Sequence, residues 1–208
     1  MSTTSHDAAW PWESPPVCLV TGAAQGLGRA VAEALAQRGA TVVLSSRDHA
    51  KVTATAARIA AAGDLRLLPV ELDVAERASV NTAATVIKNL VGGLDVLINN
   101  AAAYVDWAET AIGADLTQSR AVMDTNLYGA WNTIQAMLPL LQAAEHPRIV
   151  NIASGAGSHG DQRYGLSARK GAAASYGISK AALLALTATV GAPNSPARRS
   201  SSMPSTPT

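Results

Sequence analysis

Residues 17–39 read VCLVTGAAQGLGRAVAEALAQRG and combine a short apolar run, a glycine-rich turn and an amphipathic segment. The run VCLVT is typical of a buried β-strand, and RAVAEALAQRG (29–39) has the apolar spacing of a helix that ends on glycine. A strand that turns sharply into a helix directs free backbone N–H groups and the positive end of the helix dipole to one point. This stretch therefore predicts the first βα unit of a parallel sheet, with a pyrophosphate site at the turn.

The alternation of strands and helices continues to about residue 190. Strands are predicted at 17–21, 41–46, 65–72, 94–100 and 148–154, and helices at 29–39, 48–62, 76–93, 117–145 and 175–190. Each strand is nearly continuous in apolar residues, as expected when helices cover both faces of a parallel sheet. The predicted fold class is therefore α/β, a Rossmann-type doubly wound parallel sheet with five readable strands.

The composition limits the function classes. The chain has 208 residues, 48% of them hydrophobic and 15% charged, with a net charge of +1, which favours one globular domain without a nucleic-acid-binding surface. Cys18 is the only cysteine, so neither an internal disulfide nor a cysteine-based metal site is expected, and a reducing, cytoplasmic compartment fits. Neither a signal peptide nor an apolar run of about 20 residues is visible, so no membrane association is expected.

Prolines and polar residues are concentrated at both ends of the chain. Residues 1–16 carry three prolines and are predicted to be a flexible leader. Residues 17–191 are predicted to form the dinucleotide-binding domain. Serine and proline dominate residues 192–208, which are predicted to be a disordered tail.

The glycine-rich turn resembles that of the short-chain dehydrogenase/reductase (SDR) family. TGAAQGLG (21–28) matches the family pattern TGxxxGxG in full. By this match, the cofactor-binding positions in the turn are Thr21, Gly22, Gly26, Leu27 and Gly28. Further signatures follow in the family's order over residues 17–190, namely LDV (72–74), NNAA (99–102, with Ala102 in place of glycine), DTNLYGAW (124–131), VNIAS (150–154) and YGISK (176–180).

The resemblance implies a nicotinamide dinucleotide as cofactor. By the motif match, Asp73 contacts the adenine and Asn99 lies on the cofactor side. The second strand ends in LSSRD (44–48), where NAD-binding members usually place an acidic residue that accepts hydrogen bonds from the ribose 2′-hydroxyl. Ser46 and Arg47 stand there instead, and an arginine can pair with a 2′-phosphate, so NADP(H) is favoured over NAD(H). The alternative is that Arg47 is a solvated loop charge.

The resemblance also implies four catalytic residues and a small-molecule alcohol or carbonyl substrate. Because residues i and i+4 share a helix face, we expect the ammonium of Lys180 to lower the pKa of the Tyr176 phenol. Ser154 can donate a hydrogen bond to the substrate oxygen. By family analogy, Tyr176 and Lys180 also contact the cofactor, with Lys180 on the ribose hydroxyls. Asn126 positions water in a proton relay or, alternatively, satisfies helix backbone groups.

The connection before the YxxxK helix (155–175) is longer than in many family members. It contains a second tyrosine, Tyr164, which has no lysine four residues later and is predicted to be a loop residue. The connection either shapes the substrate pocket or is a surface excursion.

The family normally continues beyond the YxxxK helix with a sixth strand, a substrate-covering segment and a seventh strand. None of these is readable after Val190, and a shifted reading frame near residues 190–192 permits family-like codons. The chain is therefore expected to be a truncated or frameshifted member of marginal stability and weak activity, and a homodimer or homotetramer is plausible only for an intact form. The alternative function is an inactive dinucleotide-binding fragment; the glycine spacing disfavours a sugar-nucleotide epimerase or dehydratase.

Overall fold

Strands and helices alternate along the part of the chain that the computed structural model describes, residues 14–191. The elements are β1 (Val17–Val20), α1 (Gly26–Gln37), β2 (Thr41–Ser46), α2 (His49–Ala60), β3 (Leu67–Glu71), α3 (Arg77–Val91), β4 (Val96–Asn99), α4 (Leu116–Met123), a π-helical segment (Asp124–Gly129), α5 (Ala130–Leu141), β5 (Arg148–Asn151) and α6 (Ala174–Val190). Two short 3₁₀ turns, Gly155–Gly157 and Ala168–Gly171, lie between β5 and α6.

The strands form one parallel sheet in the order β3-β2-β1-β4-β5. Val20, at the end of β1, pairs with Leu44 on one side and with Ile98 on the other. After β3 the chain crosses to the other half of the sheet, so the order reverses between the neighbouring strands β1 and β4. A crevice forms at such a switch point beyond the carboxyl ends of the strands. The predicted doubly wound α/β fold is confirmed.

The two faces of the sheet carry separate apolar cores because side chains alternate along each strand. Leu19 faces a cluster that contains Leu97, Met137 and Leu183, from β4, α5 and α6. Val20, the next residue, belongs to the cluster on the opposite face, against α1 and α2. These helices therefore hold the carboxyl edge of the sheet in place from both sides.

The predicted helix at 117–145 is interrupted. Its central residues form the π-helical segment, which separates α4 from α5. At Gly129, the last residue of the segment, a Cβ atom would lie 2.7 Å from Cγ2 of Val74, so the chain approaches the end of β3 too closely for a larger residue. The predicted helical periodicity was correct. The π-helical segment, which interrupts the α-helix, lies where the chain packs closely on Val74.

The ends of the chain correspond only in part to the predicted boundaries. Pro16 is buried and its carbonyl accepts a hydrogen bond from the Thr41 N–H at 3.0 Å, so this last residue of the predicted leader belongs to the folded part. The rest of the predicted leader before residue 14 and the predicted tail at 192–208 lie outside the described residues. Within residues 14–191, β5 is an edge strand and its Val150 is 42% exposed. No helix in this range combines the length and apolarity that crossing a bilayer requires.

The long connection between β5 and α6 is compactly folded. The Asp161 carboxylate accepts hydrogen bonds from the N–H groups of Arg163 and Tyr164, both at 2.8 Å, and these two bonds lower the pKa of Asp161. A Cβ atom at Gly157 would lie 2.5 Å from the Ala181 nitrogen, so the backbone of the connection packs directly on α6. Tyr164 lies in this loop and is half exposed, as predicted.

Candidate active site

A cavity of about 490 Å³ opens at the carboxyl edge of the sheet. It is surrounded by the glycine-rich turn, the ends of β2 and β3, the segment after β4 and the first two turns of α6. Its lining includes most of the residues that the motifs single out, namely Gly22, Gly26, Leu27, Gly28, Arg47, Asp73, Tyr176 and Lys180. Thr21, Asn99, Asn126 and Ser154 are not part of this lining.

The glycine-rich turn follows a path that side chains would obstruct. Gly22 has a φ of +65° and would place a Cβ atom 2.8 Å from the Ala101 Cα. A Cβ atom on Gly28 would lie 2.5 Å from the Gly22 carbonyl oxygen. The N-cap residue of α1, Gln25, makes no side-chain hydrogen bond to the first turn, which also lacks an acidic residue. The N-terminus of α1 is thus suited to an anion at the cavity.

Thr21 and Asn100 hold this turn against the end of β4. The Thr21 hydroxyl oxygen accepts hydrogen bonds from the N–H groups of Asn100 and Ala101, both at 3.0 Å. The Asn100 side-chain amide donates to the carbonyls of Thr21 and Gly22 at 2.9 and 3.2 Å. Thr21 therefore stabilises the turn through hydrogen bonds without lining the cavity, whereas Asn100 both stabilises the turn and lines the cavity.

Asn99 lies away from the cavity. Its amide donates to the Asn151 side-chain oxygen at 2.8 Å, while its own buried Oδ1 has no hydrogen-bond partner among the described residues. Because successive side chains at a strand end point in opposite directions, Asn100 rather than Asn99 faces the cavity. Asn100 therefore lines the cavity in this structure, and the cofactor contact of Asn99 stays a prediction.

The end of β2 presents two cations to the cavity. Arg47 and Lys51 both line it, and the Lys51 ammonium donates a 2.6 Å hydrogen bond to the Gln25 side-chain oxygen. The Asp48 carboxylate accepts from the Lys51 N–H at 2.9 Å and so serves as the N-cap of α2. One oxygen of the Asp48 carboxylate, at this strand end, is therefore already bonded to a backbone N–H group.

The Asp73 side chain lies at the end of β3. Its Oδ1 accepts a 3.1 Å hydrogen bond from the Ala75 N–H, and its own N–H donates to the Ser79 hydroxyl at 3.0 Å. These bonds shape the turn after β3, and Asp73 lines the cavity there.

Tyr176 and Lys180 meet at the inner end of the cavity. The Lys180 ammonium lies 5.7 Å from the centre of the Tyr176 ring, and it donates a 2.8 Å hydrogen bond to the Ile152 carbonyl at the end of β5. Ser154 forms a hydrogen bond with the Tyr176 phenol and also accepts one from the Ala156 N–H at 3.2 Å. Three of the four residues expected to be catalytic thus come together.

The expected lowering of the Tyr176 pKa was wrong for this state of the protein. Burial of the phenol raises its pKa, the hydrogen bond with Ser154 lowers it, and the nearby Tyr104 raises it further. Burial also lowers the pKa of Lys180 from 10.5 to about 8. Attraction between the Lys180 ammonium and a Tyr176 phenolate would lower the Tyr176 pKa, but burial removes both side chains from water and disfavours their charged forms.

Asn126 occupies the π-helical segment and is fully hydrogen-bonded. Its Oδ1 accepts from the Ala103 N–H at 2.7 Å, and its amide donates to the Ala103 carbonyl at 3.0 Å and to the Ser179 hydroxyl at 2.9 Å. Ser179 in turn donates to the Tyr176 carbonyl at 2.7 Å. Asn126 therefore joins the segment after β4 to the helix that carries Tyr176.

Two aromatic side chains that the sequence reasoning missed surround Tyr176. The Tyr104 ring stacks on it with centroids 5.2 Å apart, and the Trp107 ring meets it edge-on at 5.7 Å. Glu109, also missed, accepts a 2.8 Å hydrogen bond from the Ser175 N–H at the start of α6. Lys51 is another cavity residue that the sequence reasoning missed. Its position in the first turn of α2, close to Arg47, is a signal that the sequence alone offers.

The chain matches the family model described as "short chain dehydrogenase" over residues 16–197. It is 34% identical over 173 residues to the rhamnolipids biosynthesis 3-oxoacyl-acyl-carrier-protein reductase of Pseudomonas aeruginosa, covering 80% of this chain and 62% of that one. It is also 34% identical over 172 residues to galactitol 2-dehydrogenase of Agrobacterium fabrum, covering 82% of this chain and 61% of that one.

Solved structures agree with these sequence relatives. A gluconate 5-dehydrogenase from Burkholderia cenocepacia, in complex with NADP and tartrate, superposes with a TM-score of 0.73 at 28% identity, covering 84% of this chain and 64% of that one. The chain thus spans about three fifths of the length of the curated relatives described above. Its family match, fold and motif order together show that the chain belongs to the short-chain dehydrogenase/reductase family.

Proposed function

We propose that the protein is an NADP(H)-dependent oxidoreductase that transfers a hydride between the nicotinamide and a small alcohol or carbonyl substrate. The observation that carries this proposal is the placement of the Tyr176 phenol and the Lys180 ammonium at one end of a cavity whose other end is the glycine-rich turn. The separation of phosphate-binding and proton-transfer groups along one crevice is what a dinucleotide oxidoreductase requires.

The residues present fit a dinucleotide. Gly22 and Gly28 leave the backbone bare where a Cβ atom would clash, and the first turn of α1 has no side-chain acceptor of its own. We propose that this turn binds the pyrophosphate, that Asp73 contacts the adenine and that Lys180 contacts the ribose hydroxyls. When bound, the nicotinamide supplies the hydride that reduces a carbonyl carbon, or accepts it from an alcohol carbon.

The preference for NADP(H) is supported by charge. Arg47 and Lys51 offer two cations beside the end of β2, and Asp48 is held as a helix cap. A 2′-phosphate would gain charge-assisted hydrogen bonds from both cations, and a bare 2′-hydroxyl would not. The Burkholderia gluconate 5-dehydrogenase was solved with NADP, which is consistent with this proposal.

Proton transfer is assigned to the residues around the phenol. Tyr176 donates its proton to the substrate oxygen as a carbonyl is reduced, and it takes the proton back in the oxidation direction. Ser154 donates a hydrogen bond to the same oxygen and orients the substrate. Asn126 bonds through its side chain to Ala103 and Ser179 and so connects the segment after β4 to α6. Both N–H groups of its side-chain amide are used in these bonds, so neither is available to position a water molecule for the expected proton relay.

The remaining parts of the proposal concern assembly and location. We propose a cytoplasmic protein and, for an intact form, a homodimer or homotetramer. Tyr128 and Trp131 expose large rings where the π-helical segment meets α5, and they provide apolar surface for such an interface.

The test is cofactor binding followed by a carbonyl screen with the full chain. We expect NADPH to bind more tightly than NADH by fluorescence titration, and ketone-dependent loss of NADPH absorbance to disappear in Tyr176→Phe. Tighter binding of NADH would overturn the cofactor assignment. NADPH binding without turnover of any ketone or alcohol would favour the inactive dinucleotide-binding fragment.

A further inference from the structure

Three aromatic rings meet at the reactive end of the cavity. The rings of Tyr104 and Trp107 lie 6.5 Å apart, and each contacts the Tyr176 ring. The whole chain contains only four Trp, four Tyr and no Phe. The concentration of three of these eight rings at one site indicates a role beyond filling space.

Neither of the two added rings belongs to the protein core. Tyr104 is 64% exposed and Trp107 is 54% exposed, and neither is part of the two apolar clusters that flank the sheet. Tyr104 lines the cavity, and Trp107, which is not part of this lining, meets the Tyr176 ring edge-on at 5.7 Å. Exposed apolar surface beside a reactive polar group is typical of a ligand-binding site.

The segment that carries these rings is fixed to the helix that carries Tyr176. The Glu109 side chain accepts a hydrogen bond from the Ser175 N–H at 2.8 Å, and the Glu109 carbonyl accepts one from the Ala174 N–H at 3.4 Å. Ala173, the N-cap residue of α6, has a φ of 54° and makes no side-chain hydrogen bond to cap the helix. Glu109 thus supplies the missing cap and keeps the two rings at a constant position relative to the phenol.

Charged groups of both signs surround this end of the cavity. Asp106 and Glu109 lie on the same segment as the rings, and a Cβ atom at Gly155, next to Ser154, would be 2.7 Å from an Asp161 carboxylate oxygen. The Arg163 guanidinium is stacked on Tyr164 at 5.0 Å, and the Lys180 ammonium lies 5.7 Å from the centre of the Tyr176 ring. Selection among substrates at this end therefore depends on the aromatic rings rather than on one sign of charge.

We propose that Tyr104 and Trp107 form an aromatic wall, defined by these two residues, that selects substrates with a planar aromatic group beside the reacting carbon. This inference rests on the proposed function, because it assigns the substrate class of the same site. An aryl ring stacked on the wall would place its attached carbonyl or alcohol oxygen towards Tyr176 and Ser154. Stacking between aromatic rings is favourable beyond the burial of their apolar area.

The experiment compares three probe ketones with the full chain and NADPH: acetophenone, cyclohexyl methyl ketone of nearly equal size, and pyruvate. We expect kcat/KM for acetophenone to exceed that for the cyclohexyl ketone about fivefold to tenfold, with pyruvate lowest. Tyr104→Ala and Trp107→Ala should remove most of the preference, and Tyr104→Phe should retain it. Leu90→Ala is the control, because Leu90 is also an exposed apolar residue, at 52%, but lies on α3 away from the cavity lining.

Binding of acetophenone, measured by saturation-transfer NMR with NADP⁺ present, separates the two proposals. Binding that is lost in Trp107→Ala without any turnover would sustain the aromatic wall and overturn the proposed reaction. Equal kcat/KM for the aryl and cyclohexyl ketones, or a preference unchanged in both alanine variants, would overturn the wall. Tyr104→Leu, with a folded circular dichroism spectrum, replaces Tyr104→Ala if the latter does not fold, and we expect the same loss of preference.

Discussion

The buried ammonium of Lys180 makes the stability of this protein depend on pH in a direction that can be measured. Lys180 is 2% exposed, and burial lowers its pKa from 10.5 to about 8. The folded protein therefore releases the proton at lower pH than the unfolded chain does. Between these two pKa values the unfolded state binds more protons, so the free energy of unfolding rises with pH. Below about pH 8 the folded state keeps the full desolvation penalty of the charge.

The magnitude follows from proton linkage. With pKa values of about 8 and 10.5 in the folded and unfolded states, Lys180 by itself should contribute a rise of about 2 kcal/mol in the free energy of unfolding from about pH 7 to about pH 9.5. Burial raises the pKa of the Cys18 thiol from 9.0 to about 12, so this group lowers stability as the pH rises past about 9. The Lys180 contribution is therefore measured as a difference from a variant that keeps Cys18. Tyr176 does not obscure this rise, because burial raises its pKa above its ordinary value of 10.0 and places its titration beyond the window.

Lys180→Met isolates the effect, because methionine keeps an unbranched side chain and removes the charge. Urea unfolding at several pH values should show that the difference in stability between wild type and Lys180→Met grows by about 2 kcal/mol in favour of wild type across this range. The same series on Lys88→Met, an exposed lysine on α3, should show no comparable pH dependence. A difference between wild type and Lys180→Met that is constant with pH, or that shrinks, would refute the reasoning.

Three further predictions concern the turn, the cofactor and the helix cap. Gly28→Ala should lower stability, measured by calorimetry, by about 1–3 kcal/mol and abolish tight NADPH binding in a titration, because its Cβ atom would lie 2.5 Å from the Gly22 carbonyl oxygen. Gly63→Ala is the control, because a Cβ atom there would meet open space, and it should change neither measurement. Arg47→Ala should raise the Kd for NADPH at least about tenfold and leave that for NADH unchanged, with exposed Arg66→Ala as the control; equal effects on both cofactors would contradict the assignment. Glu109→Gln keeps an acceptor oxygen but removes the charge from the start of α6, so the melting temperature should fall by about 1–4 °C, and an unchanged value would argue against a contribution from the Glu109 charge.

The local pattern of the sequence was sufficient for the sheet and for the order of its elements. Apolar runs alternate with helical periods, and three glycines lie between the end of β1 and the first turn of α1, so the parallel topology and the position of the crevice follow from near neighbours in the chain. The same pattern placed Tyr176 and Lys180 on one helix face, because that relation depends only on helix geometry. These inferences required no knowledge of contacts between distant residues.

The tertiary structure decided the relations that depend on distant contacts. Asn100 faces the cavity because it bonds to a turn 79 residues earlier, and the Tyr104 ring reaches Tyr176 because Glu109 caps a helix 66 residues later. The direction of the Tyr176 pKa shift depends on how much water the whole fold excludes from the phenol. Periodicity and motif spacing describe which residues share an element, whereas burial and contacts between elements are set only when the chain has packed. Many of the residues that line the cavity could therefore be predicted from the sequence, while the environment around Tyr176 could not.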